Sequence, residues 1–409
     1  MAVLLFIACQ AVALSTVVFV LAFTPDNSLI RPALLPLLTA LATYTIPLNL
    51  HQFPHEVISN LLSMHTVGLV FQHVDFGLIS RWSYSARGPT SSRGGQRNAN
   101  LGLADRKKLE HRPPSLWQRL EWGLFAATAW RAPGTPWEVK GTPRVRPVPS
   151  RSRFLAQNLL KLAVSLLVID ILAVIGGEPK PEENAFNFAW DKVRFLIRLR
   201  EVSVDEAVLR AVVLCVCWVT TYYSIQAFYC FSAIVGVATG VTALESWPPM
   251  FGSLTDMYTV RNFWGTFWHQ SLRQKIGGPA YFTTYSLLGL KKGGVVGRYI
   301  NIFLVFTLSG LYHLAAQEYS HGIRWQHTGT LRFFCTQALG ILIEDAAQAG
   351  LRHSTNYRSN RLTTALGYLW VVLWLYWSSA AWFYPQMQDA AGKGALLPFS
   401  VIRPLLRVL

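Results

Sequence analysis

Apolar runs long enough to cross a membrane recur along this chain and constrain its fold more than any other feature. The first covers residues 1–23, and others cover 31–50, 57–79 and 154–175. A transmembrane helix needs about 20 mostly apolar residues, and lipid offers the backbone no hydrogen-bond partners other than its own. Because 52% of the residues are hydrophobic and the mean hydropathy is +0.29, we expect an all-α, polytopic bundle of transmembrane helices.

Further candidate spans lie in the second half of the chain. Residues 207–241 suffice for two spans or one strongly tilted span, and 297–317, 331–351 and 362–384 follow. Together these runs predict about eight or nine spans. The parity of the count, and with it the side of each terminus, stays open because 207–241 and 281–290 can each be interpreted in more than one way.

Polar residues interrupt one of the early runs. Residues 57–79 contain His65, His73 and Asp75. Ionisable side chains are costly in contact with lipid, so we expect these three to face protein.

The composition changes between residues 81 and 153, where Arg, Lys, Pro, Gly and Ser dominate and no run can span a membrane. We therefore predict N-terminal transmembrane helices over 1–80, a basic cytosolic loop over 81–153 and a transmembrane core over 154–409. Within the loop, 83–112 is expected to be disordered. Residues 117–130 have helical apolar spacing and predict an amphipathic helix on the membrane surface.

The formal net charge of +16 does not indicate nucleic acid, because the basic residues lie between apolar runs, where they face lipid phosphates or the cytosol. We interpret the charge as a topology signal and an attraction for anionic ligands. The five cysteines all fall in apolar runs and lack the spacing of metal ligands, so no metal site is predicted.

The stretch from Trp247 to Gln317 is the most unusual part of the sequence. Its beginning is too polar to span a membrane and too aromatic for an ordinary loop, and it contains His269. Its end, 297–317, is an apolar run that carries His313. An ionisable residue inside such a run is a functional hypothesis, because burying it costs free energy.

On a helix over 297–317, Ser309, His313 and Gln317 fall four residues apart on one stripe, which a bundle interior would receive. A neutral imidazole held there is a candidate general base. A histidine that only hydrogen-bonds two helices together would give the same pattern.

The surroundings of His269 predict a helix with two different faces. Aromatic side chains would form one face, namely Phe263, Trp264, Phe267 and Trp268. Polar side chains would form the other face, namely Asn262, Thr266, His269 and Arg273. An aromatic-belt helix whose arginine contacts lipid phosphate is the structural alternative.

A basic connection joins the two histidines and contains Arg273, Lys275, Lys291, Lys292 and Arg298. A basic mouth beside a buried base suits a substrate with an anionic head and a reactive end, and acyl-coenzyme A has that shape. Lipid headgroups are the alternative ligand for these residues.

Several motifs together carry a family resemblance. Trp247-Pro-Pro-Met-Phe-Gly252, then Asp256, Arg261-Asn-Phe-Trp-Gly265 and Trp268-His269-Gln270 followed by Leu272-Arg273, resemble the signature of the wax synthase-like branch of the membrane-bound O-acyltransferases. Ser309-Gly-Leu-Tyr-His313 resembles the segment that carries the superfamily's catalytic histidine. Gly134-Thr-Pro-Trp-Glu-Val-Lys140 resembles a tract of the fungal members.

Within that branch the chain is most similar to fungal enzymes that acetylate terpenoids and meroterpenoids. The resemblance implies transfer of acetyl from acetyl-coenzyme A, a co-substrate rather than a bound cofactor, to a hydroxyl of such an apolar polycyclic molecule in secondary metabolism. It also implies a multi-pass enzyme of the endoplasmic reticulum whose acyltransferase core is 154–409.

The resemblance further implies roles for individual residues. His313 would be the general base, and His269 with Asn262 would polarise the thioester carbonyl or stabilise the oxyanion. The expected donor-binding residues are Arg273, Lys275, Arg261 and Trp268.

Two alternatives remain open from the sequence. A wax-ester or sterol-ester synthase would share the fold but use a long acyl chain. A transporter would use Glu344 and Asp345 as a relay, although we expect these two residues to cap or pair within the bundle. The sequence identifies neither the alcohol nor the oligomeric state.

Overall fold

A computed structural model of the chain describes residues 2–53, 55–95, 115–144, 147–177, 180–319, 328–354, 360–388 and 396–406. The helices of the N-terminal part are α1 (Ala2–Phe23), α2 (Ile30–Ala33), α3 (Leu35–Gln52), α4 (Glu56–Gln72) and α5 (Leu116–Thr128). Those that follow are α6 (Arg151–Gly176), α7 (Pro181–Asn187), α8 (Val204–Ala238), α9 (Val260–Asn262), α10 (Arg273–Phe282), α11 (Val295–Gln317), α12 (Thr330–Ser354), α13 (Arg361–Ser378), α14 (Ala380–Gln388) and α15 (Ile402–Leu406).

Shorter elements complete the description. Three helices continue as π-helical turns, α4 over His73–Ile79, α9 over Phe263–Phe267 and α10 over Thr283–Leu287. Four 3-10 turns cover Ser92–Gly94, Trp190–Val193, Leu244–Ser246 and Leu254–Asp256. Two short strands, β1 (Trp82–Ser83) and β2 (Gly88–Pro89), form an antiparallel pair. The predicted all-α character is confirmed, since helices dominate.

Five helical segments of the described chain are long and apolar enough to cross a membrane: α1, α6, α8, α11 and the consecutive helices α13 and α14. The predicted count of about eight or nine spans is not confirmed. Polar residues lower the mean hydropathy of the other long helices. Asn49, His51 and Gln52 end α3, and Glu344 and Asp345 interrupt α12.

The ambiguous run at 207–241 forms one continuous helix. Ser203 caps the N-terminus of α8 by accepting a hydrogen bond from the backbone N–H of Glu206, and the helix then continues for 35 residues. At a rise of about 1.5 Å per residue it is roughly 50 Å long, which exceeds the apolar thickness of a membrane. Of the two alternatives predicted for residues 207–241, the continuous helix agrees with one long span and not with two.

Residue contacts divide the chain into two units, each built from separate parts of the sequence. Unit 1 consists of Met1–Gln52, Leu62–Thr142 and His269–His321. Unit 2 consists of Phe53–Leu61, Pro143–Trp268 and Gly322–Leu409. The sequence-ordered division at residues 80 and 153 concerns membrane topology and stays a prediction.

In unit 1, the buried guanidinium of Arg31 connects α1 to the segment after α4. It donates hydrogen bonds to the carbonyl oxygens of Val20 (3.2 Å), Thr24 (3.0 Å), Gly77 (3.1 Å) and Trp82 (3.0 Å). Charge-assisted hydrogen bonds are stronger than neutral ones, so one buried arginine fixes several backbone segments.

The predicted disorder is wrong for residues 83–95, while 96–112 lie outside the described residues. Trp82 and Tyr84 are buried, and Trp82 stacks on Phe76 with ring centroids 4.1 Å apart. Burial of these aromatic rings stabilises the β1–β2 pair despite the basic, serine-rich composition.

The predicted amphipathic helix is confirmed as α5. Ser115 and Gln118 form a capping box at its N-terminus. Its buried side packs against α1, where Gly123 lies close to Ala22 and Val18.

In unit 2, α6 and α8 pack along each other, and Arg151 donates hydrogen bonds to the carbonyl oxygens of Val237 and Ala238, both at 3.1 Å. The beginning of α6 therefore lies beside the end of α8. The indole of Trp218 on α8 is the centre of a cluster of aromatic rings that includes Phe263, Trp264, Trp268, Phe333, Trp382 and Phe383.

Candidate functional site

His313 lies near the end of α11, the helix that the apolar run predicted. Ser309 is buried on the same stripe, whereas His313 and Gln317 are half-buried. The neighbouring Tyr312 donates a hydrogen bond to the carbonyl oxygen of Met64 on α4 and packs edge-on against Phe71. These contacts fix the rotation of α11 about its axis and thereby the direction of the imidazole of His313.

His269 lies between helices rather than within one. The π-helical turn ends at Phe267, Trp268 is extended, and α10 starts at Arg273. The predicted helix over residues 262–273, with its aromatic and polar faces, is therefore wrong. The reason is a long-range pairing: the backbone N–H of Gly252 donates to the carbonyl oxygen of Phe267 at 2.8 Å, so that carbonyl accepts a bond from outside the helix.

The environment of His269 favours a neutral imidazole. Loss of hydration lowers the pKa of His269 to about 4, and the positive charge of the buried Arg131 acts in the same direction. The hydroxyl of Ser271 lies 2.8 Å from Nδ1 of His269. When that hydroxyl donates, the ring proton resides on Nε2, which is then a hydrogen-bond donor.

Unit 1 brings the two predicted histidines together. His269 and His313 are near enough for a charge on one to act on the other. Both remain half-buried, so part of each imidazole is still accessible to a small molecule. This pair is the candidate catalytic centre.

Three of the predicted site residues belong to unit 2. Asn262 and Arg261 line a cavity of about 180 Å³ together with Tyr258, Thr259, Glu344, Asp345 and Gln348. Trp268 is buried and its ring lies 4.9 Å from that of Trp218 in the aromatic cluster.

Glu344 and Asp345 act as the cap and the ion-pair partner that we expected. Glu344 accepts hydrogen bonds from the backbone N–H groups of Val260 and Arg261, the latter at 3.2 Å, and so caps α9. Asp345 forms a two-point ion pair with the guanidinium of Arg261. Because this carboxylate compensates the charge of Arg261, a role of Arg261 in donor binding stays a prediction without direct support from its contacts.

The basic connection is not one uniform surface. Arg273, Lys291, Lys292 and Arg298 are exposed, whereas Lys275 is only 6% exposed. The expectation that Lys275 belongs to an exposed basic mouth is therefore wrong. Its side chain enters the interior of unit 1 because α10 packs closely against the π-helical turn at 73–79, where Gly278 contacts the carboxyl of Asp75.

Arg273 retains the properties expected of an anion ligand at the surface. Its guanidinium donates to the carbonyl oxygen of Lys140 (3.2 Å) and to the side-chain oxygen of Gln270 (3.1 Å). These bonds hold the exposed side chain in place beside the segment that carries His269.

Sequence reasoning missed Arg131, Ser271 and Tyr312 as neighbours of the histidines. Ser271 is only two residues from His269, and a hydroxyl at that distance is a recognisable signal. Arg131 gave no local signal, because its position depends on the folding of distant segments. Tyr312 precedes His313 in the sequence, but its contact with Met64 on α4 could not be predicted locally.

Comparison with known proteins agrees with these features. A sequence model of the membrane bound O-acyl transferase family matches residues 247–336, which include both histidines. The acetyltransferase aurG of Calcarisporium arbuscula is 52% identical over 386 residues, covering 94% of this chain and 93% of that protein. This chain belongs to the membrane bound O-acyl transferase family.

Other relatives of this O-acyl transferase are more distant. The acetyltransferase fsoF of Humicola fuscoatra is 32% identical over 83% of this chain and 85% of its own length. The acetyltransferase atnC of Arthrinium sp is 31% identical over 73% of this chain and 70% of its own length. The chain is thus an acyltransferase of a membrane-bound family, the predicted resemblance is confirmed, and the transporter interpretation is set aside.

Proposed function

We propose that this O-acyl transferase moves an acetyl group from acetyl-coenzyme A to a hydroxyl of an apolar polycyclic alcohol. The observation that carries the proposal is the pairing of two half-buried histidines in unit 1, one on an apolar helix and one held by Ser271. The relatives support the acetyl group, because each carries the name acetyltransferase.

In the proposed reaction, His313 accepts the proton of the acceptor hydroxyl as its oxygen attacks the thioester carbonyl carbon. A carbon–oxygen bond forms, and the carbonyl oxygen becomes negatively charged. When the intermediate collapses, the carbon–sulfur bond breaks and the coenzyme A thiolate takes the proton from His313. General base catalysis of this kind contributes on the order of 10²- to 10⁴-fold.

His269 is proposed to stabilise the oxyanion. A neutral imidazole with its proton on Nε2 donates one hydrogen bond and carries no charge to be compensated. In the proposed arrangement, the Ser271 hydroxyl, 2.8 Å from Nδ1, donates to that nitrogen and holds this tautomer. Asn262 stays a predicted catalytic residue.

Arg273 is the proposed contact for the phosphates of the donor. It is exposed, already oriented by Lys140 and Gln270, and adjacent in sequence to the segment that carries His269. Guanidinium groups bind phosphate in a bidentate manner, which suits this position. Arg261 and Trp268 stay predicted donor-binding residues.

The acceptor class and the location follow from the sequence resemblance. Terpenoid and meroterpenoid alcohols of secondary metabolism are the proposed acceptors, and the endoplasmic reticulum is the proposed membrane. The long-chain wax-ester or sterol-ester synthase stays the second candidate for the donor, since it needs the same bases.

A product assay tests the reaction class and the donor. Microsomes that contain the wild-type chain are incubated with equal concentrations of labelled acetyl- and palmitoyl-coenzyme A and a panel of terpenoid, meroterpenoid and polyketide alcohols. We expect acetylated alcohol as the main product, identified by mass. Palmitoylated product in excess would replace the acetyl donor by a long-chain donor.

A further inference from the structure

Lys275 is a buried, charged side chain of unit 1 that the proposed chemistry does not yet use. It lies in the first turn of α10 and is 6% exposed, between the exposed Arg273 and the buried Ile276. A buried ammonium in a membrane enzyme costs free energy, so its retention calls for a functional explanation.

Its ammonium lies beside Gly68 on α4. A Cβ atom at Gly68 would lie 3.5 Å from Nζ of Lys275 and 3.1 Å from the hydroxyl of Tyr312. The two polar groups therefore meet at the same point of the α4 backbone. Tyr312 directly precedes His313, so Lys275 lies near the hydroxyl end of the side chain next to the proposed base.

An aromatic ring covers the ammonium from a third direction. Nζ of Lys275 lies 5.8 Å from the centroid of the Trp130 ring. This cation–π contact stabilises a positive charge, and it does so without neutralising it.

Most of the titratable groups around Lys275 are neutral or positively charged. The titratable and charged groups on the unit 1 part of α4 and on the elements packed against α10 are His65 on α4, His73 and Asp75 on the π-helical turn, Arg93 on the 3-10 turn, Tyr285 on the following π-helical turn and Arg298, Tyr299, Tyr312 and His313 on α11.

Among these groups, His65 is near enough to be affected by the charge of Lys275. Asp75 instead faces Gly278 and accepts a 2.6 Å hydrogen bond from Ser80. Within the described part of the chain, no carboxylate forms an ion pair with Lys275.

We propose that Lys275 is a positioning residue that acts through its charge, supplying positive potential for the negatively charged tetrahedral intermediate. This inference rests on the proposed acetyl transfer, and it replaces the predicted contact between Lys275 and the donor. A fixed positive charge in a site of low dielectric stabilises a developing anion without moving. The same charge opposes protonation of the neighbouring imidazole of His65.

The inference has a specific signature on the alkaline side of the pH profile. Burial lowers the pKa of Lys275 to about 8, so the ammonium is present at neutral pH and is lost as the pH rises through that value. The turnover number of the wild type should therefore fall above about pH 8. Lys275→Arg keeps its charge in this range, because a guanidinium stays protonated, and should remove that decline.

The experiment measures initial acetyl transfer between pH 6 and 9.5 in microsomes with the wild type, Lys275→Arg and Lys275→Met. Lys180→Met is the matched control, because it removes one positive charge from an exposed lysine paired with Glu183. Immunoblotting of the membrane fraction normalises the rates to the amount of protein.

We expect Lys275→Met to lower the turnover number roughly 10- to 100-fold, less than the loss of a direct oxyanion donor. The Michaelis constant for acetyl-coenzyme A should stay within about twofold, since no donor contact is lost. Lys275→Arg should retain activity and lose the decline above pH 8. Lys180→Met should keep the wild-type profile.

The proposal is overturned if the turnover number of Lys275→Arg falls above pH 8 as that of the wild type does. It is also overturned if Lys275→Met raises the Michaelis constant for acetyl-coenzyme A and leaves the turnover number unchanged. If neither variant accumulates in the membrane, the pH profile of the wild type is the test. A turnover number that is constant up to pH 9.5 overturns the proposal, and a decline centred near pH 8 supports it. Failure of the proposed function is distinguishable, because the wild type would then form no acetylated product at any pH.

Discussion

At the scale of single residues, Ser271 and Arg273 make different kinds of contact near His269. The hydroxyl of Ser271 lies 2.8 Å from Nδ1 of His269, whereas Arg273 lies at the surface and contacts backbone and amide oxygens. In the proposed reaction, Ser271 acts on the transition state by orienting His269, and Arg273 acts on ground-state binding of the donor. Kinetic parameters separate these two effects.

Ser271→Ala removes the hydroxyl that orients His269. We expect the turnover number to fall roughly 10-fold, because the oxyanion donor loses its preferred tautomer and orientation. The Michaelis constant for acetyl-coenzyme A should not change. Ser271→Thr, which keeps the hydroxyl, is the control, and equal loss in both variants would argue for a packing effect instead.

Arg273→Ala should raise the Michaelis constant for acetyl-coenzyme A more than it lowers the turnover number, since it removes a phosphate contact made before the reaction begins. Arg273→Lys keeps the charge but not the bidentate geometry. Its Michaelis constant for acetyl-coenzyme A should lie between those of the wild type and Arg273→Ala. An unchanged Michaelis constant would assign Arg273 to lipid contact.

At the scale of elements, the π-helical turn at Phe263–Phe267 determines where the helix after Asn262 ends. Its last carbonyl accepts from Gly252, and a Cβ at Gly252 would lie 2.3 Å from the carbonyl oxygen of Thr266. Backbone atoms cannot move aside as a flexible side chain can. Glycine at position 252 is therefore required for this close approach.

Gly252→Ala should destabilise the protein by roughly 2 to 4 kcal/mol, because the added methyl group forces the two backbone segments apart. Gly265→Ala in the same turn is the matched control, since its Cβ would meet no atom within 4 Å. Thermal unfolding in detergent compares the two variants. Equal melting temperatures for Gly252→Ala and the wild type would contradict the assigned pairing.

At the scale of the whole molecule, the helix pair α6 and α8 determines part of the membrane topology. Each is a candidate span, and Arg151 at the beginning of α6 bonds to the carbonyl oxygens at the end of α8. If each helix crosses once, residues near 183 and 241 lie on opposite sides of the membrane.

Cysteine labelling tests this arrangement. In a chain whose five native cysteines are replaced, Glu183→Cys and Val241→Cys are treated with a membrane-impermeant thiol reagent in sealed microsomes. Both positions are exposed, so access depends on the side of the membrane. One of the two should be labelled before the vesicles are opened. Labelling of both would place residues 183 and 241 on the same side of the membrane and contradict a single crossing by α8.

The sequence predicted what depends on local periodicity and missed what depends on distant contacts. The helix of His313 and its polar stripe followed from an apolar run of helical period, and the caps at Glu344 and Asp345 followed from their position in such a run. The helix end at Phe267 depends on Gly252, and the burial of Lys275 depends on the packing of α10 against the π-helical turn at 73–79. Neither contact can be predicted from the residues adjacent to it in the sequence.

The most direct test of the proposed chemistry is the rate of acetyl transfer by His313→Ala, measured beside the wild type at equal amounts of protein in the membrane. We predict acetylated product from the wild type and a loss of at least about 100-fold in the variant, because the general base is missing. Activity of the variant within a few-fold of the wild type would contradict the assignment of His313 as the base.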